Sequence, residues 1–134
     1  MKTSRLIVTE KGIYKRPFGL RPIGYITASK ERPNVDEIVL AYNINGKERK
    51  KGYATEALIA KTKEVLSKNK IPIIQILEEN LASQAVAKKA GYFCYEELEW
   101  SKDRLLRNYT VEGLASDLET KQLISSAPEY WQER

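Results

Sequence analysis

The six residues Arg49-Lys50-Lys51-Gly52-Tyr53-Ala54 carry the clearest chemical suggestion in the chain. Three cationic side chains run into a glycine, and a helical pattern starts directly after it. Ala54, Ala57, Leu58, Lys61, Val65 and Leu66 recur at three- and four-residue intervals. A basic turn feeding a helix N-terminus suits an anion. The first N–H groups of a helix have no partner within it, and the helix dipole adds positive potential there. A phosphate can then be held by several backbone N–H groups at once. Gly52 lets the backbone approach such a ligand closely, and Ala54 is small enough to do nearly the same.

The residue types that are missing narrow the chemistry further. The chain has no histidine and one cysteine, Cys94, so a zinc site of the His/Cys type and every Ser-His-Asp or Cys-His mechanism are excluded. No metal is expected. Catalysis would have to use carboxylates, tyrosines, lysines or the backbone. A lone cysteine cannot close an intramolecular disulfide, and it suits a reducing, cytoplasmic setting. The 134 residues fit one domain with a hydrophobic core, and 23 basic against 18 acidic residues leave a formal charge of +5. That modest excess suits an anionic partner without naming one. No apolar run approaches the roughly 18 residues of a membrane span, and Met1–Thr9 lacks the apolar region of a secretory signal.

The elements that must position the basic turn follow from periodicity and breakers. Arg5–Glu10 reads as a strand, and Lys11–Pro22 as loop with one bent extended piece at Ile13–Lys15. Ile23–Ser29 and Glu37–Ile44 are strands, the latter apolar enough to lie centrally in a sheet. After the helix that begins at Tyr53 and ends at Asn69, Ile71–Leu77 is too short and too β-branched for a helix, so it is a buried strand. Ser83–Ala90 is a second helix, stopped by Gly91. Tyr92–Trp100 and Leu105–Val111 form a hairpin about Ser101–Asp103, and Glu112–Ser125 suits a final helix. The whole is an α/β (α+β) domain over residues 1–134, with 112–134 a C-terminal helical extension.

Two stretches resemble the GNAT acetyltransferases. Arg49-Lys50-Lys51-Gly52-Tyr53-Ala54 matches the family signature (Gln/Arg)-x-x-Gly-x-(Gly/Ala), and Thr55-Glu56-Ala57-Leu58 looks like its continuation in the ribosomal-protein N-terminal acetyltransferase branch. At the expected distance, Asn80-x-x-Ser83, Val86, Lys88 and Gly91-Tyr92 resemble the family's asparagine-serine-helix-glycine-aromatic segment. The resemblance spans Ile23 to Trp100. It implies a mixed, mostly antiparallel sheet flanked by helices, and acetyl-coenzyme A as the acetyl donor.

Site residues carry over position by position. Backbone amides from Lys50 through Ala54, with Arg49 to Lys51 supplying charge, would hold the pyrophosphate; Ala41, Tyr42, Asn43 and Ile44 would line pantetheine. Asn80 would hydrogen-bond near the pantetheine arm, Ser83 would lie by the thioester or the pyrophosphate, and Lys88 would meet the 3′-phosphate. The amide near Tyr42 would stabilise the developing oxyanion, and Glu37 would accept a proton from the attacking amine.

The chain departs from the pattern in three places. Only 22 residues precede the Ile23 strand, where family members usually place a strand and two helices that build the acceptor side. The position of the usual thiolate-protonating tyrosine is Ala87, and a glutamate frequent on the central strand is replaced by Val39. Three functions therefore compete: acetyl transfer to a small amine or a protein N-terminus, coenzyme A binding without catalysis as a silent protein or partner subunit, and nucleic-acid binding. The last fits least, because the positive residues are spread along the chain. Leu114, Leu118, Leu123 and Ile124 give the C-terminal segment a mild apolar face, which leads to the expectation that it supports a homodimer.

Overall fold

The computed structural model describes residues 5–16, 19–31 and 35–111. The final helix expected over 112–125, and the extension to 134, lie outside them. Among the described residues, seven strands form one sheet in the order β1-β2-β3-β4-β5-β7-β6. They are β1 (Leu6–Thr9), β2 (Gly12–Lys15), β3 (Gly24–Ser29), β4 (Glu37–Ile44), β5 (Ile71–Leu77), β6 (Tyr92–Ser101) and β7 (Arg104–Val111). Helix α1 (Tyr53–Ser67) connects β4 to β5, and α2 (Leu81–Lys89) connects β5 to β6. All neighbours pair antiparallel except β4 and β5, whose parallel arrangement needs the α1 crossover.

The mixed, mostly antiparallel sheet with flanking helices is the expected architecture. One expectation is corrected in part at its start. Ile13–Lys15, read as a bent extended piece within a loop, belongs to a full strand, Gly12–Lys15, that closes a hairpin with β1 through Leu6↔Lys15 to Thr9↔Gly12. The glycines and prolines around it disguised it: Gly12 lies at φ 152°, and a Cβ there would come within 2.8 Å of Pro22 Cβ. Ile13 is completely buried, and it earns the strand its place in the core.

The core lies between one sheet face and the two helices. Leu40 and Ile44 of β4, Ile74 and Ile76 of β5 and Tyr109 of β7 meet Ala57, Leu58 and Val65 of α1 and Ala87 of α2. The period-two alternation of β4 places Ile38, Leu40, Tyr42 and Ile44 on this helix-covered face and Glu37, Val39, Ala41 and Asn43 on the other. A buried hydrogen bond between the hydroxyls of Thr62 and Tyr92, the residue that opens β6, ties α1 to that strand. Burial holds the Tyr92 phenol protonated up to about 12, with Thr62 working against that shift.

Candidate functional site

The sheet opens where its parallel pair ends. β4 and β5 are in register only from Glu37↔Ile71 to Leu40↔Ile74. Beyond that, β4 follows β3 as far as Gly24↔Ile44, while β5 follows β7 as far as Leu77↔Leu106. Ala41 to Ile44 therefore have no strand partner on the β5 side. The result is a wedge between the two strands, with unpaired backbone donors and acceptors along its β4 wall. Both helices start at the wide end, since each follows the C-terminus of one of these two strands.

The start of α1 is uncapped. Gly52, in the N-cap position, has φ 82° and ψ 4°, and no side chain bonds to the helix end. The first helical N–H to find an acceptor is that of Glu56, on Gly52 O at 3.1 Å. The N–H groups of Tyr53, Ala54 and Thr55 have none among the described residues. Ahead of them, Gly46–Glu48 forms one turn of 3-10 helix, and Lys50 takes a left-handed φ of 64°. Two left-handed residues two apart fold the loop back over the helix end, a geometry that gathers N–H groups into a concavity.

The site's side chains divide between building the loop and facing outward. Arg49 is a builder: its Nε donates to Ile44 O at 2.9 Å and its Nη2 to Asn43 Oδ1 at 3.3 Å, so it ties the loop to the end of β4. Glu48 accepts from Lys15 Nζ at 2.8 Å and Lys51 Nζ at 3.2 Å. The hydrogen bond from Lys15 chiefly holds the Glu48 carboxyl below its usual range. Lys50 and Lys51 are exposed at the turn. A recess of about 510 Å³ beside it, between the β2–β3 and β4–α1 loops, has Lys15, Arg21 and Lys47 on its wall.

Across the wedge, Asn80 caps α2 by accepting the Ser83 N–H at its Oδ1, 3.1 Å away. Tyr42 reaches over from β4 and donates its hydroxyl to Ser83 O at 3.1 Å, and burial raises its pKa. Tyr42, Asn80 and Ser83 are thus brought together. Two other residues are not. Glu37 sits at the opposite end of β4 and on the other face, five residues or roughly 16 Å from Tyr42. Lys88 lies in the last turn of α2, eight residues or roughly 12 Å along the axis from Asn80.

Sequence reasoning missed three residues here. Arg5 bonds Glu56 Oε1 through Nε at 2.6 Å and Lys51 O through Nη2 at 3.0 Å, and its guanidinium lies 4.7 Å from the centre of the Tyr53 ring. Gln84, buried in α2, donates to Leu77 O at 3.3 Å and Glu78 O at 2.7 Å, and accepts from Arg107 Nη1 at 3.0 Å. It fixes α2 to the end of β5. The i,i+3 and i,i+4 spacings that reveal helix partners cannot reveal Arg5 and Glu56, which are 51 positions apart.

The residues at the α1 end fit the diphosphate of a nucleotide-type cofactor. Free N–H donors converge, the only acidic side chain of the first turn is already paired, and Gly52 keeps the mouth clear of a side chain. Among the described residues, no group of three or more metal-ligating side chains occurs, and no helix is long and apolar enough to cross a membrane.

Known structures share this fold. An acetyltransferase of the GNAT family from Bacillus anthracis matches with a TM-score of 0.66 and 20% identity, over 75% of this chain and 63% of that one. The ribosomal L7/L12 alpha-N-protein acetyltransferase RimL matches with a TM-score of 0.58 and 15% identity, over 65% and 52%. A putative acetyltransferase from Salmonella typhimurium, solved with its cofactor acetyl-CoA, gives 0.59 and 14%, over 67% and 57%. The chain spans less than two thirds of the length of each, and at these identities the likeness is one of fold. No curated protein matches the sequence significantly. The family model of the acetyltransferase (GNAT) domain matches residues 6–92, which takes in the β1–β2 hairpin that the resemblance, read from Ile23 to Trp100, left out. With the signature turn, the open wedge and that match in agreement, the chain belongs to the GNAT acetyltransferase domain family.

Proposed function

We propose that the protein binds acetyl-coenzyme A and passes its acetyl group to an amine. The observation that carries this reading is the wedge between β4 and β5 running straight to an uncapped helix end. The N–H groups of the Lys50–Ala54 turn would hold the diphosphate, with Lys50 and Lys51 adding charge. The free edge of Ala41–Ile44 would pair with the amides of the pantetheine arm as a strand would. Asn80 has spent its Oδ1 on the α2 cap, so its Nδ2 is the part left for a ligand. The cofactor would supply the acetyl group as a thioester already activated toward amines. A β4 backbone N–H beside Tyr42 would stabilise negative charge on its carbonyl oxygen. We place Glu37 outside this cleft, on its distance from Tyr42, and infer that the amine's proton leaves to water.

The acceptor class remains that of the sequence reading: a small amine or a protein N-terminus, the latter supported by the fold shared with RimL. A second copy is proposed to cover the sheet face away from the helices, where Tyr25, Phe93 and Leu98 are exposed. A sedimentation profile of a clean monomer at micromolar concentration would remove that part.

One observation favours a reading without catalysis. Ala87, where many family members carry a tyrosine, is fully buried on the core side of α2 and presents no hydroxyl to the cleft. Calorimetric titration with acetyl-coenzyme A, followed by acetyl transfer to an amine panel, separates the readings. Micromolar binding with turnover supports the transferase, and binding without turnover supports the silent protein. No binding by folded protein at millimolar ligand would overturn both.

A further inference from the structure

Arg5 is distant in sequence from the anion turn, yet its guanidinium meets it at Lys51 O, Glu56 and the Tyr53 ring. Nε and one Nη2 proton are spent on Glu56 and the Lys51 carbonyl. A guanidinium has five N–H groups, so three remain, without an acceptor among the described residues. They lie at the mouth of the site: a Cβ added to Gly52 would sit 3.4 Å from Arg5 Nη2. The ring of Tyr53, approached by Arg5 at 4.7 Å and by Lys15 at 5.8 Å, fixes the guanidinium plane from one side.

The need for such a group comes from Glu56. It is the acidic residue of the first turn of α1, and its Oε2 is buried without a hydrogen bond. A carboxylate there favours the helix by the dipole, but it opposes any anion bound to the same N–H groups. Lys51 O adds a second partial negative charge at the mouth. Arg5 covers both.

We propose that Arg5 is the positioning and charge-balancing residue of the diphosphate site, cancelling Glu56 and turning its remaining N–H groups toward the ligand. This rests on the coenzyme A reading above and adds to it a residue from β1's leading edge, outside both sequence motifs. It also gives the β1–β2 hairpin a part in ligand binding.

The test is calorimetry on the full chain with coenzyme A and, as a probe lacking the diphosphate, pantetheine. Arg5→Gln should weaken coenzyme A on the order of tenfold, about the size of a well-placed charge at a helix terminus. Pantetheine binding should stay unchanged. Adding Glu56→Gln to that variant should restore most of the loss, because the charge that Arg5 covers is gone. Glu56→Gln alone, with Arg5 kept, should tighten coenzyme A a few-fold, and this arm serves if Arg5→Gln does not fold. A clasp that merely holds the loop would give the reverse: no rescue in the double variant, and weaker binding in Glu56→Gln. Either of those results, or wild-type affinity in Arg5→Gln, overturns the role of Arg5. Failure of the unaltered chain to bind coenzyme A would instead overturn the parent reading.

Discussion

The two helices begin side by side and begin differently. α2 has its N-terminus closed by its own chain: Asn80 accepts the Ser83 N–H, and Gln84 and the Tyr42 hydroxyl tie down neighbouring carbonyls. α1 starts on a left-handed glycine with no cap, and three N–H groups have no acceptor among the described residues. Glycine at the N-cap gives up only roughly a few tenths of a kcal/mol against a capping side chain, yet it leaves open at one helix the donors that the chain closes at the next. The difference fits the proposal that the α1 donors serve a ligand, while α2 is tied down as the opposite wall.

The largest effect should come from filling the open end. Gly52→Glu places a side chain and a negative charge among the α1 donors, on backbone at φ 82° that disfavours any L side chain. Coenzyme A affinity should fall by about a hundredfold or more in calorimetry while circular dichroism still reports a folded chain. A variant that folds and binds as before would break the contrast at once.

The next effect belongs to the buried contact between α1 and β6. Tyr92 ionises near 10 in an unfolded chain but at about 12 in the fold. Between those values the unfolded state has lost more protons, so stability declines as pH rises. It is whole below pH ~10 and falls by about 2 kcal/mol by pH ~12. Thermal melts along that range should show the decline, and Tyr92→Phe should flatten it. Equal slopes in the two proteins would mean that the Tyr92 phenol is not buried as described.

The smallest effects sharpen the α2 side. Asn80→Ala should lower stability by about 1 kcal/mol in a denaturant titration, the usual cost of an N-cap. Asn80→Asp retains an acceptor for the Ser83 N–H but discards the Nδ2 donor. It should melt like the parent and bind coenzyme A about threefold more weakly. Unchanged affinity in the aspartate variant would make Asn80 a cap and nothing more.

Much of this arrangement was legible in the residues. Glu37–Ile44 and Ile71–Leu77 have the bounds read from the sequence, because buried strands carry dense β-branched runs that turn residues delimit cleanly. The anion turn was legible for a similar reason, since glycine after a charge run and before a helical period has few other uses. What stayed hidden depends on distance. Arg49 was read as a ligand-facing cation, yet its Nε serves Ile44 O, a choice made by the loop's path rather than by composition. Arg5 and Glu56 meet only because the β1–β2 hairpin exists, and that hairpin was masked by the glycines and prolines that let it fit. Glu37, read for its place two residues before Val39, and Lys88 of the second motif lie far along their elements from Tyr42 and Asn80, a separation set by strand and helix rise.

The strand order has a bearing on how the chain acquires its shape. β7 lies between β5 and β6, so the strand made last among those described is an interior one. Until Val111 has been synthesised, the β5 edge that will pair Ile74 with Tyr109 has no neighbour, and β6 has nothing to lie against. The hairpin through Lys102 and Asp103, with Asp103 at φ 63°, is the local contact that can form first. It would then dock as a unit. A nascent chain halted before Arg104 therefore carries the whole β4–α1 turn and five adjoining strands of the sheet, but exposes the apolar edge of β5, a natural target for chaperones during translation.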